Sequence, residues 1–375
     1  MHVAIVTPKV TADDGQGRVN LEIVRTLIER GHRATLIASV VDPDVARLPA
    51  VRWIQPYGGS LPTQLLSSQV VSRSAQALLR RVRPEVDVVT IDGAVTIADS
   101  DVNAVHFVHG AWLRSPFHTR RLRRDAYGAY HGVLTRVHHA QERAAFSRAR
   151  AVVAVSGRVA DELAAIGVPR EKIEVIFNGV DVERFRPGAV DRAAIGLPDV
   201  PFLALFAGDI KTPRKNLDTV LRAIARSADV HLAVAGSVER SPYPAMARDL
   251  GIASRVSFLG FRSDMPALMR AADVFVFPSR YEPCGLVVLE SLASGTPVIT
   301  ARSVGGAEVL TGAEGVAIDD PDDDAAIAHA LDRYRADDAV RRRAGEHARR
   351  LALEHTWSAM AERYVALYER MRRAA

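Results

Sequence analysis

A short apolar run, a glycine-bearing polar loop, a stretch with helical spacing and a second apolar run open the chain, and the same succession begins again past its middle. The first set is Val3–Thr7, then Asp13-Asp14-Gly15-Gln16-Gly17, a helix with Leu21, Val24, Leu27 and Ile28 on one face, and Ala34–Ser39. Gly31 stands where a helix end favours the left-handed region. Further apolar runs at Val86–Ile91, Ala104–Val108 and Ala151–Val155 alternate with helical sequence. Such alternation predicts a parallel sheet covered by helices, because parallel strands need crossover connections. The second set starts at Pro201–Gly208, with a helix from about Asn216 bearing Leu217, Val220, Leu221 and Ile224. Strands follow at His231–Ala235, Arg255–Leu259, Val274–Pro278, Pro297–Thr300 and Gly315–Ile318. No repeat of roughly 20–50 residues recurs, which disfavours a solenoid or propeller.

The 375 residues suit two domains rather than one. The Pro- and Gly-dense segment Arg186 to Pro198 reads as the linker, giving domains at 1–187 and 188–355 and a closing helix at 356–375. That helix carries Trp357, Met360, Tyr364, Leu367, Tyr368 and Met371 on one stripe, read as packing against one or both domains. With 48% hydrophobic and 25% charged residues, the composition fits neither a disordered chain nor a multi-span membrane protein. Met1–Pro8 reads as a first strand rather than a secretory leader. The uncharged stretch Trp53–Ser72 holds two prolines and two glycines and falls short of the ~20 apolar residues of a membrane span. The expectation is a cytoplasmic protein, soluble or peripheral at the inner face of a membrane. A single cysteine, Cys284, excludes an intramolecular disulfide or a multi-cysteine zinc site.

In open α/β sheets, ligands bind beyond the carboxyl ends of the strands, where helix N-termini offer free N–H groups to anions. The loop Pro278–Leu286 fits that description. Gly285 lets backbone approach a ligand, and the amides of Gly285 and Leu286 open the next helix toward a diphosphate. Glu290 lies five residues, ~7.5 Å, into that helix, and Glu282 precedes it. Two carboxylates can therefore bracket one hydroxyl-rich ligand, or they can be ordinary solvated glutamates. Before the helix that starts near Asn216, Lys211, Arg214 and Lys215 cluster. Cations at a helix N-terminus oppose its dipole unless an anion sits there.

Glu282-Pro283-Cys284-Gly285-Leu286-Val287-Val288-Leu289-Glu290, followed by Ser294-Gly295-Thr296-Pro297, resembles the E-x7-E signature of the retaining glycosyltransferases of family four, which have the GT-B fold. Gly15-Gln16-Gly17-Arg18, Val155-Ser156, Phe177-Asn178-Gly179-Val180-Asp181 with Phe185, Phe258-Leu259-Gly260, Ala272-Asp273-Val274 and Gly305-Gly306-Ala307-Glu308 follow in that family's order, so the likeness spans nearly the whole chain. It implies two Rossmann-like doubly wound parallel-sheet domains facing each other across a cleft, the first on the acceptor side and the second binding a nucleotide-sugar. It also implies transfer of a sugar from a nucleoside-diphosphate sugar, of UDP or GDP type, to a hydroxyl of a sugar, lipid-linked or small-molecule acceptor. Retention would proceed by front-face attack, the acceptor proton passing to the departing phosphate, with no cofactor and no metal.

By the same resemblance Glu290 holds the ribose hydroxyls and Glu282 the transferred sugar. Ser279 and the backbone of Gly285 and Leu286 hold the diphosphate, and Gly236 and Arg262 border the base. Gly15 and Gly17 approach the donor, and His109, expected at the end of a strand, touches the donor sugar. Lys215 matches the family's cation, whereas Asp209 stands where the family has an arginine, so Arg214 or Lys211 is expected to substitute. His106, within the strand, reads as structural.

A nicotinamide-binding reading of Gly15-Gln16-Gly17 fails, because Asn20 occupies the third small-residue position and no acid follows the second strand until Asp42. A sugar phosphorylase of the same fold and a noncatalytic sugar- or membrane-binding module are the alternatives. The net charge of +5 is uneven: Arg114–Arg150 has nine arginines against Asp125 and Glu142, or +7, leaving −2 elsewhere. Such an arm suits an anionic membrane surface or a phosphorylated acceptor, or it is a solvated helical face. No nucleic-acid-binding module accompanies it. Acceptor-recognising loops are expected within Trp53–Ser72 and Arg114–Tyr130.

Overall fold

The computed structural model describes every residue except Asp13, Gly59, Ser60 and Ala375. Asp13 falls in the expected first loop, and Gly59 and Ser60 in the uncharged stretch; those parts of the sequence reading lie outside the described residues. The chain divides into two units, Met1–Asn178 with the segment from Trp357 onward, and Gly179–Thr356.

The first unit holds β1 (His2–Val10), β2 (Arg33–Val41), β3 (Val51–Ile54), β4 (Val88–Asp92), β5 (Ser100–Val105), β6 (Ala149–Ala154) and β7 (Ile173–Val175). They form one sheet in the order β3-β2-β1-β4-β5-β6-β7. Every pairing is parallel; Ile5 of β1 stands between Leu36 of β2 and Thr90 of β4. The inner strands are largely buried on both faces, so they read as near-continuous apolar runs. β3 and β7, edge strands of four and three residues, are too short to show a period, and the sequence reading passes over them.

The second unit holds β8 (Leu203–Ala207), β9 (His231–Ala235), β10 (Val256–Gly260), β11 (Val274–Phe277), β12 (Val298–Ala301) and β13 (Gly315–Ile318), again all parallel, in the order β10-β9-β8-β11-β12-β13. The helix Leu217–Arg226 buries Leu217, Val220, Leu221 and Ile224 as its spacing predicts. In each sheet the chain runs outward from one strand, then returns to that strand's other side. The strand order therefore reverses between β1 and β4 and between β8 and β11, where crevices open at the strands' carboxyl ends.

The Pro/Gly-dense segment expected as a linker is part of the second unit. Arg192 donates to the carbonyls of Ala271 and Val200 and to Asp273, and Leu197 is buried. The division falls earlier than 187/188, because Val180 and Phe185 are buried in this unit's core and the Val180 amide donates to His355. Arg349 further donates to the carbonyls of Val182, Phe185 and Ala293. The closing helix Trp357–Arg373 belongs to the first unit, where Met360, Tyr364, Leu367 and Tyr368 are buried. No helix among the described residues is long and apolar enough to cross a membrane.

Candidate functional site

At the reversal point of the second sheet, the loops after β8 and β11 are stitched together. Asp209 accepts the Lys211 amide at 3.0 Å and folds the first loop into a turn. A single helical turn, Pro213–Lys215, ends at Asn216, which has φ +69° and is fully buried. Asn216 Nδ2 donates to the Pro278 carbonyl at 2.9 Å and to that of Pro321 at 2.6 Å. The Arg214 carbonyl receives the Arg280 amide at 2.9 Å and the Ser279 hydroxyl at 3.0 Å.

This stitching brings Arg214 and Lys215 to one carboxylate. Lys215 Nζ donates to Glu282 Oε2, and Arg214 Nη1 lies 3.4 Å from the same oxygen and 3.3 Å from the Tyr281 carbonyl. Lys215 also stands 5.0 Å from the Phe277 ring centroid. Burial lowers the Lys215 pKa and the Arg214 charge adds to this, while Glu282 opposes both. Lys211 is exposed, and the residue in the expected arginine position, Asp209, is spent on its own turn.

Glu282 is fixed by backbone, its carbonyl accepting the Gly305 amide at 2.9 Å. Gly285 follows with φ +81°, and a Cβ there would lie 2.7 Å from Val304 Cγ1. Glycine is thus required at the mouth of the helix Leu286–Ala293, whose first amides have no carbonyl before them within the helix. Glu290, half-buried in this helix, has its pKa pushed up to about 7 by burial, partly offset by the Arg184 charge.

Three carried-over residues have other engagements. The buried Ser279 hydroxyl is turned to the Arg214 and Tyr281 carbonyls. Arg262 pairs with Asp264, Nε to Oδ1 at 2.7 Å, and donates to the Ile195 carbonyl at 3.0 Å. A Cβ on Gly236 would lie 2.4 Å from the Gly208 carbonyl, so the glycine serves the approach of two strand ends. Arg280 escaped the sequence reading: only 8% exposed, it binds Asp218 at 2.7 Å and Asp322 at 2.7 Å, and donates to the Pro213 carbonyl at 2.6 Å.

In the first unit, Asp14 caps the helix Gly15–Glu29 through the Gly17 amide at 2.7 Å. A Cβ on Gly17 would lie 2.9 Å from the Thr11 carbonyl, which accounts for that glycine without a ligand. Asn20 donates to Thr7 at 2.9 Å and to buried Asp92 at 2.6 Å, with Gln16 3.2 Å from Asp92. His109 is not at a strand end: β5 stops at Val105, and His109 opens the helix His109–Arg114. Its pKa is pushed down to about 3 by burial and by the neighbouring His138 and His139, so the ring is neutral at ordinary pH. His106 is half-buried, and desolvation likewise lowers its pKa. All nine arginines of the arm are exposed.

Two parallel-sheet α/β units of this order constitute a GT-B fold, shared with several glycosyltransferase structures. Sucrose-phosphate synthase from Thermosynechococcus elongatus superposes over 100% of both chains with TM-score 0.80 at 22% identity. WaaG, a glycosyltransferase involved in lipopolysaccharide biosynthesis, does so over 98% of this chain and 99% of its own, with TM-score 0.75 at 22% identity. HepE from Anabaena in complex with UDP and glucose matches over 99% of this chain and 100% of its own, with TM-score 0.67 at 18% identity.

Residues 189–351 match the family model of glycosyl transferases group 1, and residues 14–184 match that of glycosyltransferase family 4. Each match covers a little under half of the chain. Lipopolysaccharide core biosynthesis glycosyltransferase LpsE of Rhizobium meliloti is 34% identical over 54% of this chain and 58% of its own length. D-inositol 3-phosphate glycosyltransferase of Mycolicibacterium smegmatis is 38% identical over 52% of this chain and 48% of its own length. The chain thus spans about half the length of the curated relatives it matches.

Proposed function

We propose that this chain transfers a sugar from a nucleoside-diphosphate sugar to an acceptor hydroxyl with retention at the anomeric carbon. The observation that carries this reading is the convergence of Arg214 and Lys215 on one Glu282 oxygen, next to the glycine that opens the helix Leu286–Ala293. Negative charge growing on a leaving diphosphate needs donors already in place. The two cations and the Gly285 and Leu286 amides supply them, with Arg214 standing in for the arginine replaced by Asp209. On binding, the diphosphate takes over the cations and Glu282 turns to the sugar hydroxyls.

Glu290 accepts from the ribose diol, which stabilises its ionised form against burial. His109, a neutral ring, offers a hydrogen bond to the sugar. The acceptor hydroxyl attacks from the face the diphosphate leaves and passes its proton to that diphosphate, with no metal in the step. The structural neighbours include complexes with UDP, UDP-glucose and ADP, which favours a nucleotide donor over orthophosphate.

Calorimetry with UDP, GDP and ADP tests the assignment. One should bind, and Glu290→Ala should weaken that binding at least tenfold; an unchanged affinity refutes the role. We further propose that the exposed arginines, with Leu122 at 47% and Tyr127 at 52% exposure, seat the first unit on an anionic membrane. Equal retention by phosphatidylglycerol and phosphatidylcholine vesicles at low salt would remove that proposal.

A further inference from the structure

Glu142 is one of the two acids of the arginine arm, and no part of the reaction above uses it. It sits on the helix Ala126–Arg148 and is 0% exposed. An ionised carboxylate in such a place is costly unless its oxygens are filled. Two backbone amides fill them: Oε2 accepts from His109 at 2.8 Å and Oε1 from Gly110 at 2.7 Å, with His139 Nδ1 also 2.8 Å from Oε1.

The two backbone donors belong to the peptide groups on either side of the His109 α-carbon. Holding both planes on one rigid carboxylate fixes the direction in which the His109 side chain leaves the chain. The same helix supplies His138, whose ring centroid is 4.9 Å from that of His109 and whose Nε2 is 3.2 Å from Ser68 Oγ. Phe107 meets the His109 ring edge-on at 5.2 Å. Gly110 makes the approach feasible, since a Cβ there would lie 2.6 Å from the His139 ring.

We infer that Glu142 is a positioning residue for His109, orienting its imidazole by clamping the two flanking peptide groups to the helix Ala126–Arg148. The inference rests on the proposed role of His109. A cap needed only for folding would equally fill the carboxylate, so the test must separate orientation from stability.

The experiment measures nucleoside-diphosphate release from UDP-glucose, GDP-mannose and ADP-glucose by the full chain and by Glu142→Gln, His109→Ala and the double variant. Binding of UDP, GDP and ADP is measured in parallel. Gln keeps the size but sets an NH2 against one of the two amides. The expected kcat loss for Glu142→Gln is about 10²-fold, the scale of a displaced reacting group, with nucleoside-diphosphate affinity within twofold. The double variant should be no slower than His109→Ala, because residues acting as one unit are not additive. Amide hydrogen exchange at His109 and Gly110 should accelerate in Glu142→Gln while the rest of the helix Ala126–Arg148 stays protected.

Losses that multiply in the double variant overturn the inference, as does full activity of Glu142→Gln beside an impaired His109→Ala. Full activity of His109→Ala alone overturns the His109 reading and this inference with it, and that single variant distinguishes the two failures.

Discussion

Replacing Lys215 by alanine removes the donor that the proposed mechanism needs most. Its side chain is 14% exposed and bonded to Glu282, itself 16% exposed. The deletion leaves Glu282 with Arg214 at 3.4 Å, so the carboxylate is not orphaned. The stability loss should therefore be that of one hydrogen bond to a charged group, about 1.5–3 kcal/mol, below the about 3–5 kcal/mol of a stranded buried charge. For a domain of roughly 150–250 residues that is a Tm drop of roughly 3–12 °C. The effect on catalysis should be separate and larger: about 10²–10³ in kcat, or about 2.7–4 kcal/mol, for one charge-stabilising donor. Steady-state release of nucleoside diphosphate, measured well below the onset of melting, reads the second effect without the first. A kcat within threefold of wild type would refute the reasoning, because the leaving diphosphate would then be held elsewhere.

Glu290 sets a pH dependence whose sign follows from its displacement. Its folded-state pKa of about 7 lies above the ordinary 4.5, so the folded state holds the proton more tightly. This favourable contribution is full below about 4.5 and is lost as pH rises through about 7, by up to about 3 kcal/mol; denaturation of Glu290→Gln between pH 5 and 8 should show a correspondingly smaller fall than wild type, and parallel curves would contradict it. Nucleoside-diphosphate affinity should rise with pH through about 7 more steeply in wild type than in Glu290→Gln, since the diol donates to the ionised carboxylate. Gly285→Ala combines a left-handed φ of +81° with a 2.7 Å approach to Val304 Cγ1; the backbone term alone costs about 1–2 kcal/mol, and an unchanged Tm would show that the loop relaxes freely. Arg280→Met removes the bonds to Asp218, Asp322 and the Pro213 carbonyl and loosens the turn carrying Lys215, so both Tm and kcat should fall; loss of neither would show that Asn216 and the Ser279 hydroxyl hold the loops without it.

Where candidate site residues are consecutive, their local placement is readable in the sequence. The nine residues from Glu282 to Glu290 carry a glycine, a helix start and two carboxylates in one run, and the structure sets Glu282 and Gly285 at the mouth of that helix. Strand and helix periods likewise announce both sheets. What escapes are contacts that fold brings together across long stretches of chain. Asn216 reaches Pro278 and Pro321, Arg280 reaches Asp218, Asp92 meets Asn20, and Glu142 reaches back to His109. Nothing local distinguishes these residues from surface polar ones. The same holds for the choice between Arg214 and Lys211: they are equivalent in the sequence, and the fold separates them by bringing Arg214 to Glu282 and the Tyr281 carbonyl while leaving Lys211 exposed. The linker expected from Pro and Gly failed because composition does not report that Arg192 and Leu197 are packed.

The most direct test of sugar transfer is to follow the anomeric proton of UDP-, GDP- and ADP-sugars by NMR in the presence of the protein and a hydroxyl acceptor. The account predicts that one nucleotide-sugar is consumed, with its nucleoside diphosphate released and the product carrying the donor's anomeric configuration. Consumption of none of them, with formation of a sugar phosphate from a disaccharide and orthophosphate instead, would contradict it.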